Sequence, residues 1–165
     1  MKRLLVFILI IACIGLYFTL NAKQPASVAE SVEVISVPEG DMSLKQEIKV
    51  DLEQQKAFLY QNGQFIQDFK ISSGKEETPT PKGSFEIIYK QDQLFSKIAG
   101  CWLSFWAGFT SDGLYGFHET PICNGVRIGE DEMGKPASAG CLRLSLKDAK
   151  TLYSWVEIGA VVTIY

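Results

Sequence analysis

Histidine is nearly missing from this chain: among 165 residues there is 1, His118, so only one imidazole is available for proton transfer. Its 4 cysteines include no Cys-x-x-Cys pair, which argues against a zinc knuckle, and they are too few and too irregularly spaced for a disulfide scaffold. A basic excess is lacking too, since the net charge is -3, and without a polyanion-attracting field nucleic acid is not an expected partner. No internal repeat or low-complexity tract occurs. The length leaves room for one compact domain plus a tail, and the 47% apolar content is enough to give that domain a core.

What is present begins with a long apolar run. Lys2 and Arg3 precede Leu4 to Leu20, which is long enough for a marginal membrane span with positive charge on its N-terminal flank. Residues 1–22 are therefore expected to form a transmembrane anchor or signal segment, with the remainder outside the cytoplasm. Leu20-Asn21-Ala22 and Ser27-Val28-Ala29 are only fair cleavage sites, which favours an uncleaved anchor. Ile10-Ile11-Ala12-Cys13 has the look of a lipoprotein box, but the residues after Cys13 stay apolar, so Cys13 reads as a lipid-facing residue. Residues 23–44, polar and carrying Pro25, Pro38 and Gly40, read as a flexible linker to a domain at 45–165.

The domain opens as antiparallel sheet. Ile48, Val50 and Leu52 alternate with charged residues, and strands at Ala57 to Tyr60 and Phe65 to Ile71 flank Asn62-Gly63, a pair suited to the positive φ angles of a tight hairpin. Thr78-Pro79-Thr80-Pro81-Lys82-Gly83 must be a stiff loop, because its prolines lack donors and fix φ. Strands are expected at Ser84 to Tyr89, Cys101 to Phe105, Leu114 to Phe117 and Val161 to Ile164. One helix is expected, capped by Ser145 with Asp148 three residues on, presenting Ala149, Leu152, Tyr153 and Val156, and stopped by Gly159. Many short strands and a single late helix predict a mainly β domain of barrel or sandwich type.

Cys141 and His118 are the candidates for chemistry. Gly140 lets the chain turn closely, so that successive N–H groups can converge as an oxyanion hole requires. If Cys141 to Leu144 is extended, the thiol and the Arg143 guanidinium share a face while Leu142 and Leu144 enter the core, and the cation favours the attacking thiolate. A buried structural cysteine beside a surface arginine fits the local sequence equally. His118 follows Leu114-Tyr115-Gly116-Phe117 and precedes Glu119-Thr120-Pro121, where a strand leaves its sheet, and such places gather functional groups.

The stretch Gly134-Lys135-Pro136-Ala137-Ser138-Ala139-Gly140-Cys141-Leu142-Arg143-Leu144, with His118 upstream, resembles the signature of the YkuD-type L,D-transpeptidases. Ile48 to Leu52 with Phe58-Leu59-Tyr60 and Asn62-Gly63, the Ser72 to Gly83 loop, and the closing Leu152-Tyr153 to Tyr165 fit as well. The resemblance implies a β-barrel or sandwich catalytic domain acting on peptidoglycan stem peptides, with no cofactor. It implies Cys141 as nucleophile, His118 as base and then acid, the Glu119 main-chain carbonyl as its orienter, and the Gly140 and Cys141 N–H groups at the oxyanion. Arg143 and Ser138 are expected at the substrate, Arg143 holding either the loop or a carboxylate.

The chain departs from that pattern in places. Many members have Ser-His-Gly-Cys where this chain has Ser138-Ala139-Gly140-Cys141, and Glu119 stands where Gly or Ser often follows the histidine. A sortase-like enzyme is a competing reading, though the Thr-Leu-x-Thr-Cys setting is missing, and a wall-binding module with a decayed site is another. Cys101 and Cys123 are compatible with a disulfide or with two separate thiols. Trp102, Phe105, Trp106 and Phe109 read as core rather than a substrate groove, and Glu130-Asp131-Glu132 as a solvated turn rather than a metal site.

Overall fold

Alternation along the first strand already decides which way the domain faces. In β1 (Gln46–Asp51), Ile48 and Val50 are fully buried, while Glu47, Lys49 and Asp51 keep partial access to solvent. The computed structural model describes residues 45–165; the expectations for the anchor at 1–22, for Cys13 and for the linker at 23–44 lie outside them. β1 pairs antiparallel with β2 (Lys56–Gln61), and β2 with β3 (Gln64–Lys70). Asn62 and Gly63 at the turn have φ of 52° and 77°, the left-handed pair that a tight hairpin needs. The closing strand β11 (Val161–Ile164) enters parallel to β1 and antiparallel to β4 (Gly83–Glu86), giving the order β3-β2-β1-β11-β4.

A second sheet holds β5 (Tyr89–Ser96), β6 (Cys101–Gly108), β7 (Gly116–Glu119), β8 (Ile122–Cys123), β9 (Val126–Arg127) and β10 (Leu142–Leu144). Its order is β10-β7-β6-β8-β9, with β5 also paired to β6. The strand expected from Ser84 to Tyr89 is instead divided between the sheets. Ile87 N–H bonds to Ala160 in one direction and Ile88 N–H to Gly108 in the other, so the chain crosses over at these two residues. The strand expected to end at Phe117 runs on to Glu119, which puts His118 inside the ladder rather than beyond it.

Both sheets contribute to one core, with Val50, Leu59, Val162 and Ile164 from the first meeting Ala107, Phe117, Leu142 and Leu144 from the second. The helix α1 (Leu146–Trp155) caps this core with Ala149 and Leu152. Ser145 Oγ accepts the Asp148 N–H at 3.1 Å and donates to the Asp148 carboxylate at 2.7 Å, the reciprocal cap read from the sequence. The helix ends before Gly159, because the Val156 side chain is drawn fully into the core and its backbone turns extended. Among the described residues no helix is long and apolar enough to cross a membrane. Cys101 and Cys123 are joined as a disulfide, tying the start of β6 to β8.

Leu152 is fully buried among residues of both sheets. Leu152→Ala is expected to lower the unfolding free energy by about 2–5 kcal/mol, measured by denaturant titration with an unchanged slope.

Candidate active site

Parallel pairing of β10 with β7 brings the candidate residues together. Leu142, Arg143 and Leu144 stand opposite Phe117, His118 and Glu119 in register. Leu142, Leu144 and Phe117 are fully buried in the core, so by strand alternation Arg143, Cys141 and His118 belong to the opposite face. Cys141, immediately before β10, and His118 on β7, 23 positions apart in sequence, are thereby brought to the same side of the sheet. They line one cavity of about 100 Å³ together with Arg143, Ser138, Leu114 and Pro121. A second cavity of about 250 Å³, walled by the β5–β6 hairpin through Leu94, Ser96, Ile98 and Leu103, also reaches Cys141.

The loop before Cys141 is held from beneath by the stiff proline-containing loop. Ser73 O accepts the N–H groups of Ala137 and Ser138, and Ser72 exchanges two backbone hydrogen bonds of 3.0 Å with Arg143. Thr80 Oγ1 donates to Gly140 O at 2.8 Å and accepts the Gly74 N–H at 2.9 Å, linking the two loops through one buried hydroxyl. Gln55, itself buried, braces the lower loop by bonding both the N–H and the hydroxyl of Ser73. Gly140 has φ 114°, and a Cβ there would lie 2.5 Å from the Tyr115 ring, so no other residue fits.

Two expectations about this loop change on inspection of its bonds. Ser138, expected at the substrate, is 1% exposed, and its hydroxyl is spent inside the loop, donating to Cys141 O at 2.6 Å and accepting the Gly140 N–H at 3.0 Å. That engagement leaves the Gly140 N–H committed as well. Arg143 pairs with Glu132 at 2.6 Å, so part of the supposedly solvated acidic turn is a partner of the site. Ala139 is exposed and makes no side-chain hydrogen bond.

His118 is buried, its ring stacked over Trp106 with centroids 5.8 Å apart. Its Nδ1 is bonded to the main-chain carbonyl of Glu119. A carbonyl only accepts, so Nδ1 carries the proton and Nε2 keeps a lone pair. Burial lowers the imidazole to about 4; the Glu119 carbonyl opposes this, and the Arg143 cation adds to it. Burial likewise raises the Cys141 thiol to about 11, outweighing the opposing Gly116 backbone bond and Arg143. The expectation that Arg143 would favour a resting thiolate therefore yields to desolvation. The thiol donates to Leu114 O at 3.3 Å.

The four aromatics expected in the core divide. Phe109 joins it, Phe105 packs at its edge, Trp102 is 45% exposed, and Trp106 is buried as expected but beneath the imidazole, where it also reaches the larger cavity. The reason is local: Phe105 has φ 57°, and the pleat slips there, so Leu103 and Trp106, three residues apart, line the same cavity. The sequence offers Trp106 only as core and Glu132 only as part of a solvated turn, and it gives no functional signal for Gln55 or for Thr80, which it marks only as part of a stiff loop.

The depressed imidazole sets a pH window for stability. An unfolded chain binds a proton at His118 near pH 6.5, whereas the folded one does so only near 4. Lowering the pH through this window is expected to remove up to about 3 kcal/mol of stability, a loss that His118→Asn should abolish in denaturant titrations at pH 7, 5.5 and 4.5. Thr80→Val, which removes the hydroxyl between Gly74 and Gly140, is expected to cost about 1–3 kcal/mol by the same measurement.

Comparison with known proteins gives a consistent answer. YciB of Bacillus subtilis is 31% identical over 113 residues, covering 64% of this chain and 58% of the relative. YkuD of Bacillus licheniformis is 29% identical over 145 residues, covering 88% and 79%. The chain thus spans less than two thirds of YciB, though more of YkuD. Among solved structures, an L,D-transpeptidase from Stackebrandtia nassauensis superposes with a TM-score of 0.63 at 25% identity, covering 76% of this chain and 58% of that one. The LD transpeptidase LdtMt1, solved with imipenem, has a TM-score of 0.66 at 18% identity, covering 74% and 59%, and so supports the fold. The profile of the YkuD L,D-transpeptidase catalytic domain matches residues 45–164, nearly all of the described residues, and the chain belongs to that family.

Proposed function

We propose that the domain is a cysteine L,D-transpeptidase acting on peptidoglycan stem tetrapeptides outside the cytoplasmic membrane. The observation that carries it is that Cys141, at the entry to β10, and His118 on the paired β7 line one cavity while the imidazole keeps Nε2 as an acceptor. The thiol leaves Leu114 O and gives its proton to Nε2 as sulfur attacks the L,D-peptide carbonyl before the terminal D-alanine. The developing oxyanion is taken by the Cys141 N–H, since the Gly140 N–H is held by Ser138. The imidazolium then protonates the leaving amine, D-alanine departs, and a thioester on Cys141 remains. An amine of a neighbouring stem, deprotonated by Nε2, resolves the thioester into a crosslink, and water resolves it into a shortened stem. Arg143, at the cavity wall, holds the loop through Glu132 and turns its remaining donors to a substrate carboxylate.

With the thiol near 11 and the imidazole near 4, both groups are neutral at pH 7. Proton transfer therefore accompanies attack instead of preceding it. The Cys101–Cys123 disulfide suits an oxidising compartment, and residues 1–22 would anchor the domain there.

The test is mass spectrometry after incubation with disaccharide tetrapeptide and, separately, with imipenem. An adduct on Cys141 is expected with both, with D-alanine released from the first; that release separates this activity from a sortase-like one. Cys141→Ala should abolish the adducts, and His118→Asn should slow them by about a hundred-fold or more. Labelling that survives Cys141→Ala would overturn the assignment.

A further inference from the structure

One peptide plane sets the tautomer of the base. The Thr120 N–H donates to Leu144 O on β10 at 3.0 Å, and in a trans peptide the Glu119 carbonyl then points the other way, towards the β6 side. There the β6–β7 ladder reaches only to Phe117, paired with Ala107. No strand claims the carbonyl, so His118 Nδ1 does.

The same residue is tied down by its side chain. Glu119 Oε2 accepts Arg127 Nη2 at 3.0 Å, with the Glu119 side chain 2% exposed and the Arg127 side chain 30%. Arg127 lies on the β8–β9 hairpin, which is itself fastened to β6 by the Ile122–Trp102 pairing and the Cys101–Cys123 disulfide. Ile128 N–H closes this segment on Pro121 O at 2.9 Å. Other polar atoms nearby contribute nothing: Thr120 Oγ1 and Arg127 Nε are buried without a partner among the described residues. The ion pair is thus the side-chain link from a fastened hairpin back to the residue whose carbonyl holds the imidazole. A buried charge pair is a poor source of net stability, which favours a role in fixing geometry.

We propose that the Glu119–Arg127 pair is a positioning device that holds the Glu119 carbonyl against His118 Nδ1 and so keeps Nε2 as the base. This rests on the Cys141–His118 chemistry above, yet it can be read without substrate. Because His118 is the only histidine, a nitrogen-15 spectrum of the folded, oxidised protein contains one imidazole, and its two nitrogen shifts report the tautomer directly. The wild type is expected to show the Nδ1–H form alone at pH 7. Glu119→Gln and Arg127→Gln are expected to show a mixture of both tautomers and to acylate Cys141 with imipenem about ten- to a hundred-fold more slowly at saturation, with little change in half-saturating concentration. The double variant should be no slower than the worse single one, and Arg127→Lys, which keeps the charge at the more accessible partner, should restore most of both signals. Should Glu119→Gln fail to fold, the contrast between Arg127→Lys and Arg127→Gln decides alone. Folded variants with an unmixed Nδ1–H tautomer and wild-type acylation would overturn the proposal. A wild type that shows the single tautomer but no acylation would leave the positioning standing and remove the function proposed above.

Discussion

The register of β10 on β7 is the constraint from which the site follows. Opposing Arg143 to His118 puts every second residue of both strands on the same side, so the apolar members, Leu142, Leu144 and Phe117, fill the core. Cys141 and His118 are then left together on the other side. A slip of one residue would send the imidazole into the core and a leucine into the cavity. The many bonds from the loop at 72–83 serve this register, because the Ser72–Arg143 bridge and the Thr80 hydroxyl fix where β10 begins.

Burial is the second theme, and it acts on both partners alike. It makes the thiol a weaker acid and the imidazole a weaker base in the resting protein. The pair is therefore neutral at rest. Trp106 contributes to that burial from beneath the ring, from a position that exists only because the pleat slips at Phe105.

Local chemistry was legible in the sequence, and long-range chemistry was not. The alternation of Ile48 and Val50, the Asn62-Gly63 turn and the Ser145–Asp148 cap each depend on neighbours within a few residues, and all three stand as expected. Cys141 and His118 also stood out, one by its setting after Gly140 and the other by being alone. β5 gave no signal because none of its side chains is fully buried, and β8 and β9, of two residues each, are too short to show a period. The Thr80–Gly140 and Glu132–Arg143 contacts join residues whose types are ordinary in isolation. Even the break at Ile87 and Ile88 looks like continuous strand until each residue's hydrogen-bond partner is known.

The disulfide poses a selection problem for the folding chain. Three cysteines lie in the domain, and Cys123 is nearer in sequence to Cys141 than to Cys101, so loop closure alone favours the bridge that would consume Cys141. Folding reverses this preference. Pairing Trp102 with Ile122 brings Cys101 and Cys123 to a Cα separation of 4.4 Å, while desolvation raises the half-buried Cys141 thiol to about 11 and keeps it protonated. Thiol–disulfide exchange and peroxide attack both run through the thiolate, which is scarce at that site. The desolvation that keeps this sulfur protonated thus also slows its reaction with the oxidants that its neighbours require.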